Sequence, residues 1–137
     1  MALTHLVDTS VLTRLAQPAV RQAIEQRAER GELARAGISD LEVGYSARSA
    51  DEWDEIADAL EAFELVETRA EHVQRARQVQ RALAAKHQRG RKIPDLLIAA
   101  AAETENLTVL HFDADFDRIA EITGQRSEWV VPAGSID

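Results

Sequence analysis

Short apolar runs alternate with helical patterns along the chain, and this alternation constrains the fold more than any other feature of the sequence. The runs with the length and apolar content of buried strands lie within residues 3–10, 33–38, 63–66, 107–110 and 129–131. The helical patterns cover residues 11–16, 19–30, 50–61, 69–86, 96–105 and 116–122, and a further helix begins at residue 39. Strands that alternate with helices pair in parallel through right-handed crossovers. The sequence therefore predicts an α/β fold with a mainly parallel sheet that helices cover.

Length and composition set further limits. A chain of 137 residues with 45% hydrophobic residues has the size and apolar content of one globular domain, so we expect a single domain over residues 1–137. No apolar run approaches the roughly 20 residues needed to cross a bilayer, and the N-terminus lacks the pattern of a signal peptide. The absence of cysteine excludes disulfides and thiolate metal sites, and it fits a location in the cytoplasm.

The charge is segregated along the chain. The formal net charge is −8, which by itself argues against a nucleic-acid partner. Residues 69–92, however, contain eight of the 16 basic residues and a single acid. This stretch could bind phosphates, or it could be an ordinary solvated helix face.

Acidic residues follow the predicted strands near the edge where the strands end. Asp8 closes the first apolar run, and Glu42 lies just inside the helix that follows the second. Asp95 opens the most apolar helix, and Asp113 follows the fourth strand. The carboxyl ends of parallel strands meet at one edge, where ligands of open α/β sheets bind. We therefore expect these four acids to share one crevice.

Each acid also has a purely structural interpretation. Asp8 is a good N-cap for the helix after it, and Ser39 and Glu42 match the Ser-x-x-Glu capping box. Asp95 directly follows Pro94 and suits the first turn of a helix. On this interpretation the chain would be a non-catalytic binding module.

A shared crevice of acids favours a bound divalent cation. Clustered carboxylates repel one another, and a hard cation held by oxygen ligands removes that repulsion. Mg²⁺ or Mn²⁺ fits better than zinc, because no pair of histidines accompanies the acids at ligand spacing. The site has no evident nucleophile of its own, so a metal-activated water is the expected attacking group, and the basic segment would bind flanking phosphates. These features together indicate a metal-dependent nuclease.

Four short motifs also carry a resemblance to a known family. They are Leu6-Val7-Asp8-Thr9-Ser10, Ile38-Ser39-Asp40-Leu41-Glu42, Ile93-Pro94-Asp95-Leu96 and Val109-Leu110-His111-Phe112-Asp113-Ala114-Asp115-Phe116. In order and spacing they resemble the signatures of PIN-domain ribonucleases. The chain as a whole is similar to the VapC-type toxins of type II toxin-antitoxin modules.

The resemblance implies a three-layer α/β/α sandwich, cleavage of RNA with Mg²⁺ or Mn²⁺, a cognate antitoxin and a homodimer. The catalytic acids it implies are Asp8, Glu42, Asp95 and Asp113. The implied metal ligands are Asp8, Asp95, Asp113 and Asp115. The expected substrate-binding residues are Thr9, Ser10, Arg89, Arg91 and Lys92.

The chain departs from the family pattern beside the fourth acid. Many relatives have Thr or Ser two residues before that acid, where this chain has His111, followed by Phe112. The hydrogen bonding around Asp113 is therefore open at this point, whereas Asp117 fits a helix first turn better than a metal site. The segment after Pro132 is expected to be frayed.

A receiver-like phospho-acceptor domain is an alternative of similar size that also gathers acids and magnesium at strand ends. Such a domain needs a lysine near the end of its last strands, whereas the two lysines of this chain, Lys86 and Lys92, lie in the basic segment.

Overall fold

The computed structural model describes residues 2–88 and 92–137, and a parallel five-stranded sheet forms its centre. The strands are β1 (His5–Val7), β2 (Leu33–Ala36), β3 (Glu64–Val66), β4 (Thr108–His111) and β5 (Ser127–Trp129). Their spatial order is β3-β2-β1-β4-β5, and every pairing is parallel. The prediction of an α/β fold with a mainly parallel sheet is confirmed. All the parallel strands end at one edge, so residues that follow β1 and β4 come together.

Helices cover both faces of the sheet. They are α1 (Thr9–Leu12), α2 (Pro18–Glu29), α3 (Gly37–Gly44), α4 (Ala50–Leu60), α5 (Ala70–Ala85), α6 (Ile93–Thr104) and α7 (Asp115–Thr123). Successive strand residues point to opposite faces: Leu6 packs in a core with α5, α6 and α7, whereas Val7 packs in a second core with α2 and the end of α4. The chain therefore forms the expected three layers.

Helix α3 begins earlier than the sequence pattern predicts. Strand β2 stops at Ala36, which is also the N-cap of α3, and the helix starts at Gly37. Ser39 is therefore a buried residue inside the first turn and not an N-cap. The capping box expected from Ser39 and Glu42 is wrong, so the Glu42 carboxylate needs a different explanation.

The C-terminal segment is docked against the rest of the protein. The main-chain oxygen of Asp137 accepts hydrogen bonds from Arg14 Nε at 2.9 Å and from Gln17 Nε2 at 3.2 Å. Ile136 packs, partly buried, against the core that contains Val7. The expectation of a frayed tail is wrong because two side chains near α1 hold its end.

Within residues 2–88 and 92–137, none of the helices has the length and apolar content that crossing a membrane requires.

Candidate active site

The carboxyl edge of the sheet opens into a cleft of about 240 Å³. Its walls come from the segments after β1 and β4, from α3 and from the start of α6. The four acids expected to meet all line this cleft: Asp8, Glu42, Asp95 and Asp113. The expected residues Thr9, Ser10 and Lys92 line it as well.

Asp8 is both a helix cap and an acid of the cleft. It is the N-cap of α1, and its Oδ2 accepts the backbone N–H of Ser10 at 2.9 Å. The residue is only 2% exposed, and its other oxygen, Oδ1, has no hydrogen-bond partner among the described residues. Burial raises the pKa of Asp8, although the donors on Ser10 and Thr9 act in the opposite direction. One oxygen therefore caps the helix and the other remains unsatisfied.

Glu42 is held by a residue that is distant in sequence. Its Oε1 accepts a hydrogen bond of 2.6 Å from the Thr9 hydroxyl, which also lies 2.9 Å from the Ser39 hydroxyl. Thr9 follows β1 and Glu42 follows β2, so the parallel pairing of these strands sets their separation. Glu42 is thus fixed in the cleft wall by the sheet and not by its own helix.

Asp95 is the most strongly perturbed acid of the cleft. It is 5% exposed in the first turn of α6, and its Oδ2 accepts no hydrogen bond from the described residues. Burial, together with the nearby negative charge of Asp8, raises the pKa of Asp95 to about 8. Lys92 opposes this shift only weakly, because its Nζ lies 4.0 Å from Asp95 Oδ2. The carboxyl group of Asp95 is neutral at pH 7 unless another cation enters.

Asp113 lies beside Asp95, but hydrogen-bond donors compensate the negative charge of its carboxylate. Its Oδ2 accepts a hydrogen bond of 2.8 Å from Lys92 Nζ, and its Oδ1 accepts the backbone N–H of Asp115 at 2.9 Å. Burial raises the pKa of Asp113, but these two donors outweigh burial and hold the pKa below its ordinary value. Asp113 is therefore ionised, with Lys92 as its counter-ion.

The donor set of the cleft fits a divalent cation. Asp95, Asp113 and Asp115 each offer a carboxylate oxygen, and these three atoms lie within 4.8 Å of one another. Asp8 lies outside this group of three but borders the same cleft. When ionised, the buried oxygens of Asp8 and Asp95 that lack a partner among the described residues only accept, so a hard cation would satisfy both.

His111 accounts for the hydrogen bonding around Asp113. Its Nδ1 accepts the backbone N–H of Asp113 at 3.2 Å, and its ring is fully buried between Phe116 and Trp129. Burial lowers the pKa of His111, which keeps the accepting nitrogen unprotonated. His111 thus makes the contact with the Asp113 backbone that the sequence left open, at the position where many relatives were expected to have Thr or Ser. Asp117 accepts a hydrogen bond from Trp129 Nε1 at 3.1 Å and does not line the cleft.

Three residues of the cleft were not expected from the sequence: Thr13, Arg14 and Phe112. The backbone N–H of Phe112 donates to the Ser10 hydroxyl oxygen at 2.8 Å, which joins the segments after β4 and β1. Arg14 lies one helical turn after Ser10, and this i, i+4 spacing is the signal that could have identified it. Of the expected substrate-binding residues, Arg89 and Arg91 lie outside the described ranges.

The basic helix α5 is partly neutralised by its neighbour. Arg75, in the N-terminal half of α5, makes hydrogen bonds of 2.5 and 3.1 Å to the carboxylate of Glu103 near the end of α6. The two helices are therefore antiparallel, and the C-terminal half of α5 leads toward the cleft. Arg75 is therefore engaged in an ion pair, and phosphate binding by the rest of the basic segment stays a prediction.

Comparison with known proteins agrees with this geometry. The model of the PIN-domain family matches residues 5–122. The chain belongs to the PIN-domain family. Ribonuclease VapC51 of Mycobacterium tuberculosis is 61% identical over 137 residues, covering 100% of both chains. Ribonuclease VapC21 of the same species is 46% identical over 137 residues, covering 98% of this chain and 99% of the relative.

Solved structures of PIN-domain proteins share the architecture. VapBC2 from Rickettsia felis, bound to a promoter DNA fragment, matches with a TM-score of 0.76 and 20% identity over 93% of this chain and 98% of that chain. DNA-bound VapBC from Salmonella typhimurium matches with a TM-score of 0.75 and 19% identity over 94% of this chain and 99% of that chain. These matches confirm the three-layer PIN fold implied by the motifs, and they do not support the receiver-like alternative.

Proposed function

We propose that this PIN-domain chain is a VapC-type toxin that acts as a metal-dependent endoribonuclease, with its active site in the acidic cleft. The observation that carries the proposal is the pair of buried carboxylate oxygens on Asp8 and Asp95 that have no hydrogen-bond partner within residues 2–88 and 92–137. A protein that used these acids only as helix caps would leave no such oxygens facing a cleft. The ribonuclease names of its VapC relatives give the reaction class.

The metal ligands in this proposal are Asp8, Asp95, Asp113 and Asp115. Mg²⁺ or Mn²⁺, when bound, supplies positive charge that activates water and stabilises the negative charge developing on the phosphate. The ionisation of Asp95 is coupled to this binding, because its carboxyl group is neutral at pH 7 in the metal-free protein.

Glu42 is proposed as the group that accepts a proton from the attacking water. It lines the cleft with the other acids, and the Thr9 hydroxyl fixes its Oε1 through the 2.6 Å hydrogen bond. A carboxylate held in one orientation can align and deprotonate a water within hydrogen-bond reach. Thr9 therefore acts through Glu42, as a positioning residue.

Lys92 and Ser10 are proposed to contact the RNA backbone. The Lys92 ammonium lies at the mouth of the cleft with its side chain 62% exposed, so a phosphate oxygen can reach it beside Asp113. The Ser10 hydroxyl lines the cleft and is fixed there by the Phe112 N–H, which donates to it at 2.8 Å. Arg89 and Arg91, from the same basic segment as Lys92, are proposed to bind flanking phosphates.

Cleavage of a mixed total-RNA pool by the purified protein tests the function. We expect discrete fragments with Mg²⁺ or Mn²⁺, and no fragments with EDTA or with the Asp8→Asn variant. Fragments that persist in both controls would indicate a contaminating nuclease. Absence of cleavage, together with absence of metal binding by calorimetry, would leave a non-catalytic binding module.

A cognate antitoxin and a second copy of the chain are the proposed protein partners, and the cytoplasm is the proposed location. The VapBC complexes among the solved relatives support an antitoxin. Leu41 on α3 and Tyr45 directly after it are 71% and 93% exposed, which supports an interface at that helix. Light scattering of the protein alone and with the antitoxin distinguishes the two assemblies, and a monomeric protein would remove the homodimer from the proposal.

A further inference from the structure

Arg14 is a cation in the wall of the acidic cleft, and its guanidinium is fixed by main-chain contacts. Its Nη1 donates to the carbonyl oxygen of Ser10 at 2.7 Å, and its Nε donates to the main-chain oxygen of Asp137 at 2.9 Å. The guanidinium carbon lies 4.9 Å from the centre of the Phe112 ring. These three contacts hold the planar group in one orientation before any ligand arrives.

The positive charge of Arg14 is not neutralised by an acidic side chain. Within residues 2–88 and 92–137, no aspartate or glutamate side chain lies within 4.0 Å of its nitrogens, and its Nη2 donates no hydrogen bond. Lys92, the other cation of the cleft wall, is already paired with Asp113 at 2.8 Å. The Nη2 group of Arg14 therefore offers two unused N–H donors beside a group of acids, whereas its Nε is engaged with the main-chain oxygen of Asp137, the last residue of the sequence.

A fixed guanidinium with free N–H donors in a cleft is suited to an anion. Arginine binds phosphate through its planar set of donors, and a side chain that is ordered in advance loses little entropy on binding. Because the acids of the cleft repel a polyanion, a cation in the cleft wall is needed to bind the RNA backbone. Stacking of the guanidinium on Phe112 leaves its edge, and thus Nη2, free for the ligand.

We propose that Arg14 binds a backbone phosphate of the RNA strand adjacent to the phosphate that is cleaved. This inference rests on the proposed ribonuclease function and adds a substrate contact besides Lys92. It also gives the docked C-terminal segment a role, because the main-chain oxygen of Asp137 orients the guanidinium.

The salt dependence of RNA binding tests the inference directly. Each phosphate contact to a single strand contributes about 0.7 to the slope of log affinity against log salt. A fluorescent mixed-sequence RNA is titrated by anisotropy at several KCl concentrations, with Asp8→Asn in every protein to prevent cleavage. We expect Arg14→Met to lower the affinity at low salt about tenfold and to reduce the slope by about 0.7.

A matched control separates the phosphate contact from a structural role. Gln17 also donates to the main-chain oxygen of Asp137 but does not line the cleft, so Gln17→Ala should keep the full slope. Arg14→Lys keeps the charge and should retain the slope, which covers the case that Arg14→Met folds poorly. An unchanged slope in folded Arg14→Met, or an equal loss in Gln17→Ala, would overturn the inference. If the wild-type protein cleaves RNA but the salt slope of Arg14→Met is unchanged, the Arg14 contact is wrong and the proposed function still stands.

Discussion

Two clusters of potential metal ligands lie within the described residues, and they differ in what their unsatisfied atoms need. In the first, the cleft cluster, Asp95, Asp113 and Asp115 bring three carboxylate oxygens within 4.8 Å of one another. The second, which we name the helix-end cluster, lies where α5 begins and α6 ends. Here one ligand atom each of Glu71, His72 and Glu105 lies within 4.8 Å of the other two. By distance alone the two clusters are equivalent.

The helix-end cluster places a buried donor opposite a buried acceptor. His72 is 1% exposed, and its Nδ1 accepts the backbone N–H of Arg69 at 3.2 Å, so the ring proton is on Nε2. That nitrogen faces Glu105 Oε1 at 3.5 Å, a donor opposite an acceptor, although neither atom has a hydrogen-bond partner among the described residues. The Arg69 guanidinium lies 3.7 Å from both Glu71 and Glu105. A metal at Nε2 would have to displace the ring proton and compete with Arg69.

The cleft cluster lacks donors for its acceptors. Within residues 2–88 and 92–137, Asp8 Oδ1 and Asp95 Oδ2 have no hydrogen-bond partner, and Lys92 is committed to Asp113. Both oxygens are acceptors when the carboxyl groups are ionised, so a bound cation would satisfy them. A structural cluster places buried donors opposite buried acceptors, whereas a ligand site gathers buried acceptors without donors. This difference, more than the number of acids, distinguishes the two clusters.

The largest expected difference between the clusters is in catalysis. Asp95→Asn should reduce RNA cleavage at least about 100-fold, because even groups that only support metal ligands are worth 10–100-fold. Glu105→Gln should leave cleavage within about twofold, since a surface ion pair contributes little. Initial rates on one RNA under identical Mn²⁺ concentrations give both values. Equal losses in the two variants would mean that the clusters are not functionally distinct.

The next effect is on the pH dependence of stability in the metal-free protein. The pKa of Asp95 is about 8 in the folded protein and near 3.8 when unfolded. Between these values the unfolded carboxyl is ionised and the folded one is protonated, so this group destabilises the protein progressively as the pH rises from about 4 to about 8. Above about 8 its contribution is constant.

Urea unfolding in EDTA from pH 5 to 9 measures this contribution. The free energy of unfolding of the wild type should fall relative to that of Asp95→Asn across the interval, because asparagine does not titrate. If the free energies of unfolding of the two proteins changed with pH in parallel, Asp95 would not be a neutral, buried carboxyl group in the folded protein.

The smallest expected effect comes from the cation of each cluster. Lys92→Met should strengthen Mn²⁺ binding about twofold to fivefold, because an exposed ion pair that competes with the metal is worth about 0.2–1 kcal/mol. Arg69→Met should leave Mn²⁺ binding unchanged. Calorimetric titration of both variants gives the affinities, and weaker Mn²⁺ binding by Lys92→Met would mean that the ammonium does not compete with the metal.

Much of the fold follows from local patterns in the sequence. Leu6 and Val7, or Val109 and Leu110, are adjacent apolar residues whose side chains must be buried on opposite faces, which only a sheet covered on both sides allows. The meeting of Asp8, Glu42, Asp95 and Asp113 follows from the parallel strands, because acids after successive strands reach the same edge.

The remainder depends on contacts between distant residues. Glu42 matched a capping box, yet its partner is Thr9, brought near by the pairing of β1 with β2. Arg14 is oriented by Asp137, and no local pattern links positions 123 residues apart. His111 supports Asp113 through a ring nitrogen, a contact that the sequence signals only as a departure from the family pattern.

Calorimetric titration of the metal-free protein with Mn²⁺ tests the central claim most directly, with the wild type beside Asp95→Asn and Glu105→Gln. We predict that the wild type and Glu105→Gln bind Mn²⁺ with the same affinity, and that Asp95→Asn loses this binding while remaining folded. Mn²⁺ binding that survives in Asp95→Asn and disappears in Glu105→Gln would place the metal at the helix-end cluster and contradict the account.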